Sequence, residues 1–295
     1  MTVVAGVFGS KACYARNNEQ DHEETSTYRF SSAFDRLWPA PKNLWLQSCA
    51  INSTAFEGEE DGVFTFIGSK TETAILTMAK EQLGMGPVAE ERAGTNVIQL
   101  IPFDSDRKCM GVVIRLASGT YRLLVKGAAE ILLERASSEL VNPFADSLER
   151  EELTESARGE IAASINGFAE QSLRTIAFLY RDFPSWPPNG AKTMEEDSSM
   201  ADFDDISHNM TFLGVVGIQD PLRDGVSTAV KQCQDAGVFV RMVTGDNVTT
   251  ATAIATECGI KTEDGIVMEG PKFRQLSDEK MDEILPRLQV LARSS

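Results

Sequence analysis

Apolar positions along this chain recur with two periods, and the way the periods alternate changes near residue 219. Before it, short segments of mixed type succeed one another. Val63-Phe-Thr-Phe-Ile67 alternates and predicts a strand ending at Gly68. Residues 71–83 carry Ala74, Ile75, Met78 and Leu83 at helical spacing, and Gly84 stops the run. Residues 96–101, 110–116 and 121–125 read as antiparallel strands, the last two joined at Ser118-Gly119. Pro39 and Pro41 lead into a helix over residues 43–51. Further helices are expected over about 128–136 and 151–171, and a strand over 175–180. Residues 11–35 show no apolar period and read as a mobile surface loop. Residues 184–205, with Pro187, Pro188 and Gly190, read as a long exposed insertion.

From residue 212 on, strand and helix alternate strictly. Phe212-Leu-Gly-Val-Val-Gly-Ile218 predicts an apolar strand. Asp220 and Pro221 then suit the N-cap and first position of a helix that carries Leu222, Val226, Val230 and Cys233 on one face until Gly237. Val238-Phe-Val-Arg-Met-Val243 predicts a buried parallel strand, with a helix after it that runs to Cys258 and ends at Gly259. Between them Thr244-Gly-Asp246 places a hydroxyl, a flexible backbone and a carboxylate at the carboxyl end of a parallel sheet, where α/β proteins bind phosphates. A Gly-Asp turn with Asp246 capping the helix accounts for the same residues. The expected fold is α/β: a mixed antiparallel-sheet domain over residues 1–219, then a partial doubly wound domain over 220–295.

Several blocks, in order, resemble the P-type cation ATPases. They are Gly68-Ser-Lys-Thr-Glu-Thr-Ala74, Phe103-Asp-Ser-Asp-Arg-Lys-Cys-Met110, Val125-Lys-Gly-Ala-Ala-Glu130, Asp220-Pro-Leu-Arg223, Val243-Thr-Gly-Asp-Asn247 and Ala253-Ile-Ala-Thr-Glu-Cys-Gly-Ile260. Met1-Thr-Val-Val-Ala-Gly6 resembles the segment just after the phosphorylation motif of calcium pumps. The ending Leu285 to Ser295 resembles the plasma-membrane-type, calmodulin-regulated calcium ATPases and their fungal or vacuolar relatives. The resemblance implies a nucleotide-binding domain inserted into a haloacid-dehalogenase-like phosphorylation domain, hinged at Asp220-Pro-Leu-Arg223 and at the strand after Met1.

Composition fits a cytosolic catalytic region. A chain of 295 residues is long enough for roughly two domains, and no apolar run approaches the ~18 residues of a membrane span. With no basic-then-apolar leader at Met1, this stretch is expected to be soluble. A net charge of −16 argues against nucleic-acid partners and anionic lipid. The five cysteines have no paired or metal-type spacing and read as free thiols.

Adenine requires a flat apolar surface and triphosphate requires cations close by. Phe103 and Lys108 flank one turn, and Lys126 ends a strand where Gly127 removes side-chain bulk. The resemblance implies that Phe103 stacks on adenine and Lys108, Lys126 and Met110 line the pocket. Thr71 and Glu72 would contact the base side, and Arg174 would reach the phosphates. It assigns Thr244, Gly245 and Asp246 to the phosphate and magnesium neighbourhood, with Asp220 and Arg223 guiding nucleotide across the hinge. Without the resemblance these side chains have ordinary roles: Phe103 in a core, Lys126 and Arg174 in surface pairs, Glu72 on a helix dipole. Ser105 stands where endoplasmic-reticulum-type calcium pumps have arginine.

Neither Asp-Lys-Thr-Gly-Thr, which holds the phosphorylated aspartate of this family, nor Thr-Gly-Asp-Gly-x-Asn-Asp occurs in these 295 residues. The expectation is therefore ATP binding, with magnesium on the nucleotide, and no turnover by this chain. In an intact pump, transmembrane and actuator domains would couple ATP to calcium transport at a plasma or vacuolar membrane, with calmodulin as a partner of a regulatory tail. The alternative is a free-standing nucleotide-binding regulatory module. A soluble phosphohydrolase with the same core, built on an Asp-x-Asp-type nucleophile strand, is a third reading.

Overall fold

A computed structural model describes residues 1–60 and 62–294 of the chain. Ser295, the last residue of the C-terminal block, lies outside the described residues. The chain divides into two compact units, one of residues 1–165 and 175–218, the other of 166–174 and 219–295.

The first unit opens with β1 (Thr2–Phe8), β2 (Ala12–Ala15), β3 (Thr27–Arg29), α1 (Phe30–Asp35) and α2 (Pro39–Ala50). The hairpin β4 (Phe56–Glu60) and β5 (Val63–Ile67) leads to α3 (Lys70–Leu83) and α4 (Val88–Ala93). The meander β6 (Asn96–Asp104), β7 (Cys109–Arg115) and β8 (Tyr121–Ala128) comes next. Then come α5 (Ala129–Glu134), β9 (Ala136–Leu140), β10 (Arg150–Glu152), α6 (Glu155–Glu170), β11 (Arg174–Phe183), α7 (Phe203–Ile206) and β12 (Met210–Gln219). Eight strands line up in the order β3-β2-β1-β12-β11-β8-β7-β6, while β9 pairs with β12 and β10 with β9. The sheet is mostly antiparallel, with parallel pairings at β2–β3 and β9–β12. Its apolar face packs against helices α1 to α3 around Phe8, Tyr14, Phe34, Trp45, Ile75, Leu76, Met78 and Phe178, all fully buried.

Residues 11–35 depart from the expected loop. They form two strands, a short 3-10 turn and a helix, and they bury Tyr14, Tyr28, Phe30 and Phe34. Those four rings interlock edge-on or tilted with Phe8 and Phe144, so irregularly spaced aromatics anchor a stretch whose remaining residues are mostly polar. The helix expected from residue 151 begins at Glu155, because Arg150–Glu152 pairs with β9 and Thr154 Oγ1 accepts from the Ala157 N–H. The insertion over residues 184–205 is exposed along most of its length, yet Ala201 and Phe203 near its end are buried.

The second unit holds α8 (Val226–Asp235), β13 (Met242–Val243), α9 (Val248–Glu257), β14 (Ile266–Glu269), α10 (Gly270–Phe273), α11 (Asp278–Ile284) and β15 (Leu288–Ala292). Its sheet is parallel, in the order β13-β15-β14. Val230, Ala251, Ala255, Cys258, Ile260, Val290 and Ala292 form its core. Two expectations are corrected. The first helix starts at Val226, not beside Asp220. Gly225, at φ +84°, is its N-cap, and this left-handed turn, which glycine favours, resets the chain after Pro221. The strand expected over residues 238–243 shrinks to Met242–Val243 and is not buried. Val243 is 64% exposed, since among the described residues β13 pairs on one side only.

All five cysteines are free thiols, of which Cys49, Cys109 and Cys258 are buried. Burial pushes the Cys49 thiol up to about 12 and that of Cys109 up to about 11. The thiolate is the reactive form, so a thiol reagent under native conditions should label exposed Cys233 first and Cys49 and Cys109 last. Time-resolved mass spectrometry of labelled peptides checks this order.

Candidate nucleotide site

The site residues expected from the sequence fall into two groups, one in each unit. In the first, Ser69 is the N-cap of α3. Its Oγ accepts from the Glu72 N–H at 3.2 Å and lies 3.3 Å from the Glu72 carboxylate. Glu72 is buried. Its carboxylate accepts from the Thr54 N–H and Oγ1, each at 3.0 Å, and from Lys126 Nζ at 3.0 Å. The ion pair is enclosed, with side chains 5% exposed for Lys126 and 9% for Glu72.

Burial works against the charged Glu72, but Lys126 and the two Thr54 bonds outweigh it and hold the carboxyl below its usual pKa. For Lys126 burial is the larger influence and draws the ammonium below a free lysine, with Glu72 resisting. Arg92 completes the enclosure from α4. It donates to the carbonyls of Ala50, Ser53 and Ala55 at 3.0, 2.7 and 2.8 Å, fixing the loop that carries Thr54.

Lys126 and Gly127 lie on β8 opposite Met110 and Cys109 of β7. The space opened at Gly127 is filled by protein: a Cβ there would overlap the Lys108 carbonyl oxygen and Cys109. Gly127 therefore lets β7 approach closely. Lys108 occupies the left-handed region at φ +53°, and its N–H donates to the Asp104 carbonyl at 2.8 Å. The Asp104 carboxylate accepts from the N–H groups of Asp106 and Arg107, so the β6–β7 turn is internally braced. Beside it Phe103 is 62% exposed, while Met110 is buried. Thr71, in the first turn of α3, is partly buried.

In the second unit Thr244, Gly245 and Asp246 come directly after β13. Arg174 lies 3.1 Å from Asp246 Oδ1, Thr244 Oγ1 donates to Asp246 Oδ2 at 3.0 Å, and the Asp246 N–H donates back to Thr244 Oγ1 at 3.1 Å. Asn247, not Asp246, caps α9, accepting from the Thr250 N–H at 2.8 Å. The carboxylate is thereby left to Arg174 and Thr244. Asp220 and Arg223 are exposed. Among the described residues no group of three or more His, Cys, Asp or Glu side chains converges as a metal site.

Sequence reasoning missed Thr54 and Arg92. Ser69-x-x-Glu72 was a readable capping signature, but Arg92 binds carbonyls far from it in sequence, and periodicity does not reveal such bonds.

Residues 41–225 match the family described as P-type ATPase, cytoplasmic domain N, and the chain belongs to that family. It is 46% identical over its whole length to calcium-transporting ATPase 2 of Schizosaccharomyces pombe, covering 24% of that protein. It is 43% identical to calcium-transporting ATPase 2 of Cryptococcus neoformans, again over the whole chain and 22% of that protein. Against the plasma membrane-type calcium-transporting ATPase 3 of Oryza sativa the identity is 37%, over the whole chain and 26% of the relative. The chain thus spans about a quarter of the length of the curated relatives it matches. No helix among the described residues is long and apolar enough to cross a membrane.

A carboxyl group whose folded pKa lies below its unfolded value stabilises the fold above the unfolded value. That contribution is lost as pH falls through the folded one. At neutral pH Glu72→Gln should cost roughly 3 kcal/mol, because it strands a buried ammonium. The gap to the unaltered chain should close as pH is taken well below the ordinary carboxyl value of 4.5. Urea midpoints of both proteins across that range measure the effect.

Proposed function

We propose that this chain is the ATP-binding portion of a calcium-transporting pump, and that it binds ATP without turning it over. The observation that carries the reading is an exposed aromatic ring on a braced turn, in the same domain as an enclosed Glu72–Lys126 pair. Exposing a phenylalanine is unfavourable unless something covers it, and a purine face matches its flat apolar surface. On this reading Phe103 stacks on adenine and Lys108 and Lys126 set the charge of the pocket. Glu72 holds Lys126 in place and Thr71 lies at the base side. Arg174 trades its bond to Asp246 for the phosphates, and Thr244 and Gly245 receive the γ-phosphate. Asp220 and Arg223 stand on the segment joining the units, and magnesium arrives on the nucleotide.

The fold is read accordingly as a nucleotide domain over residues 1–219 and a partial haloacid-dehalogenase-like phosphorylation domain over 220–295. The calcium assignment comes from the three relatives, each of which is called a calcium-transporting ATPase. In the whole pump, transmembrane and actuator domains would be the partners of this chain at the cytosolic face of a membrane, and calmodulin a partner of a tail.

Calorimetric titration with Mg-ATP should give saturable binding. Base–aromatic stacking contributes about 1–3 kcal/mol, so Phe103→Ala should weaken affinity roughly tenfold. Incubation with γ-labelled ATP should leave no hydroxylamine-sensitive label on the chain. Absence of binding by folded protein, or an affinity that Phe103→Ala leaves unchanged, would refute the assignment.

A further inference from the structure

The segment after β11 does not end as a free loop. Ala201 makes a reciprocal pair with the Gln99 side chain on β6: Gln99 Nε2 donates to the Ala201 carbonyl and the Ala201 N–H donates to Gln99 Oε1, both at 2.9 Å. Gln99 is buried, and this pair gives its amide one donor and one acceptor partner. Two residues on, the Phe203 ring lies 4.9 Å from the Arg107 guanidinium and 5.4 Å from that of Arg135. Arg135 is held in turn by Ser207 and by Asp204. Arg107 belongs to the β6–β7 turn, and its Nη2 reaches the carbonyl of Pro102, the residue before Phe103, at 3.5 Å.

Both ends of the stretch that presents Phe103 and Lys108 are therefore fastened to one strap, through Gln99 on the strand and Arg107 in the turn. The turn's own bonds, from Asp104 to Asp106, Arg107 and Lys108, set its internal shape but leave its tilt on the sheet open. Among the described residues β6 is the outermost strand, with a neighbour on one side only, so no further strand restrains it there. The strap supplies that restraint. A cation over an aromatic face is a modest attraction, enough to bias a turn without holding the domain together.

We propose that Phe203 and Arg107 are positioning residues for nucleotide binding: the strap sets the orientation of Phe103 toward the purine. This rests on the proposed ATP site and adds a specific control of it.

The test is a double-mutant cycle on the full 295-residue chain, with Mg-ATP as titrant. Phe203→Leu keeps apolar volume at a buried position and removes the ring that the two arginines face. Arg107→Ala cuts the link from the other side and leaves the strap's interior untouched. Each variant should weaken ATP binding about threefold to fivefold. Phe203→Leu should have no added effect in a Phe103→Ala background, because its influence runs through that ring. Phe203→Tyr should retain affinity. An effect of Phe203→Leu that persists undiminished when Phe103 is already Ala would show general damage and overturn the proposal. Unchanged affinity in both Phe203→Leu and Arg107→Ala would overturn it equally. If the unaltered chain fails to bind ATP the site reading falls first, whereas binding that depends on Phe103 and ignores the strap refutes this inference alone.

Discussion

A lysine ammonium withdrawn from water must find its compensation inside the protein, and much of the first unit is arranged around that requirement. Removing an ammonium from water costs several kcal/mol even after relaxation. Lys126 meets one carboxylate, Glu72, and that carboxylate has acceptor capacity beyond a single donor. Thr54 fills it with two bonds. The loop carrying Thr54 is fixed because Arg92 binds three carbonyls around the end of α2. The pair thus joins a sheet strand, a helix N-terminus and the loop between α2 and β4 into one polar assembly within an apolar core. Removing any member leaves the others buried and unsatisfied, so the arrangement specifies a single packing more than it adds net stability.

The charged group of the second unit follows a different physical regime. The side chains of Arg174 and Asp246 are 34% and 18% exposed, so water screens their attraction and the pair is worth little to stability. A guanidinium in such a setting can exchange a carboxylate for a phosphate at small cost, because both accept the same donors. The enclosed Lys126 has no such freedom. Within the proposed function, the first unit holds a rigid charge and the second an exchangeable one.

The periodic elements were legible in the sequence because burial on one face writes itself into spacing. Helix α3 with Gly84, the meander β6 to β8 and the helix before Gly259 all come from pattern and punctuation. The features that escaped depend on contacts between distant residues. The four aromatics between residues 14 and 34 lie in a polar stretch and obey neither period, yet they pack on one another and on Phe8. Asp220 and Pro221 met the local rules for a helix start, yet α8 begins at Val226 after the left-handed Gly225. Residue types together with the family resemblance drew attention to Lys126 and Phe103, and the resemblance alone to Glu72. Their states, two enclosed and one exposed, depend on Thr54, Arg92 and the turn conformation at Lys108, none of which spacing encodes.

The contrast between Phe103 and its neighbours explains how such a ring is kept outside. An outermost strand with Val97, Leu100 and Phe103 each at least 45% exposed is an invitation to unwanted pairing or collapse. Folding Phe103 inward would require the β6–β7 turn to give up the Asp104 bonds and the left-handed Lys108. The turn's polar bonds fix its own shape, and Phe103 stands exposed beside it. Along the same strand Gln99 uses its side-chain amide, not its backbone, to bind Ala201, so part of the exposed edge is covered without adding another strand. Within the proposed function, that exposed ring is the face offered to adenine.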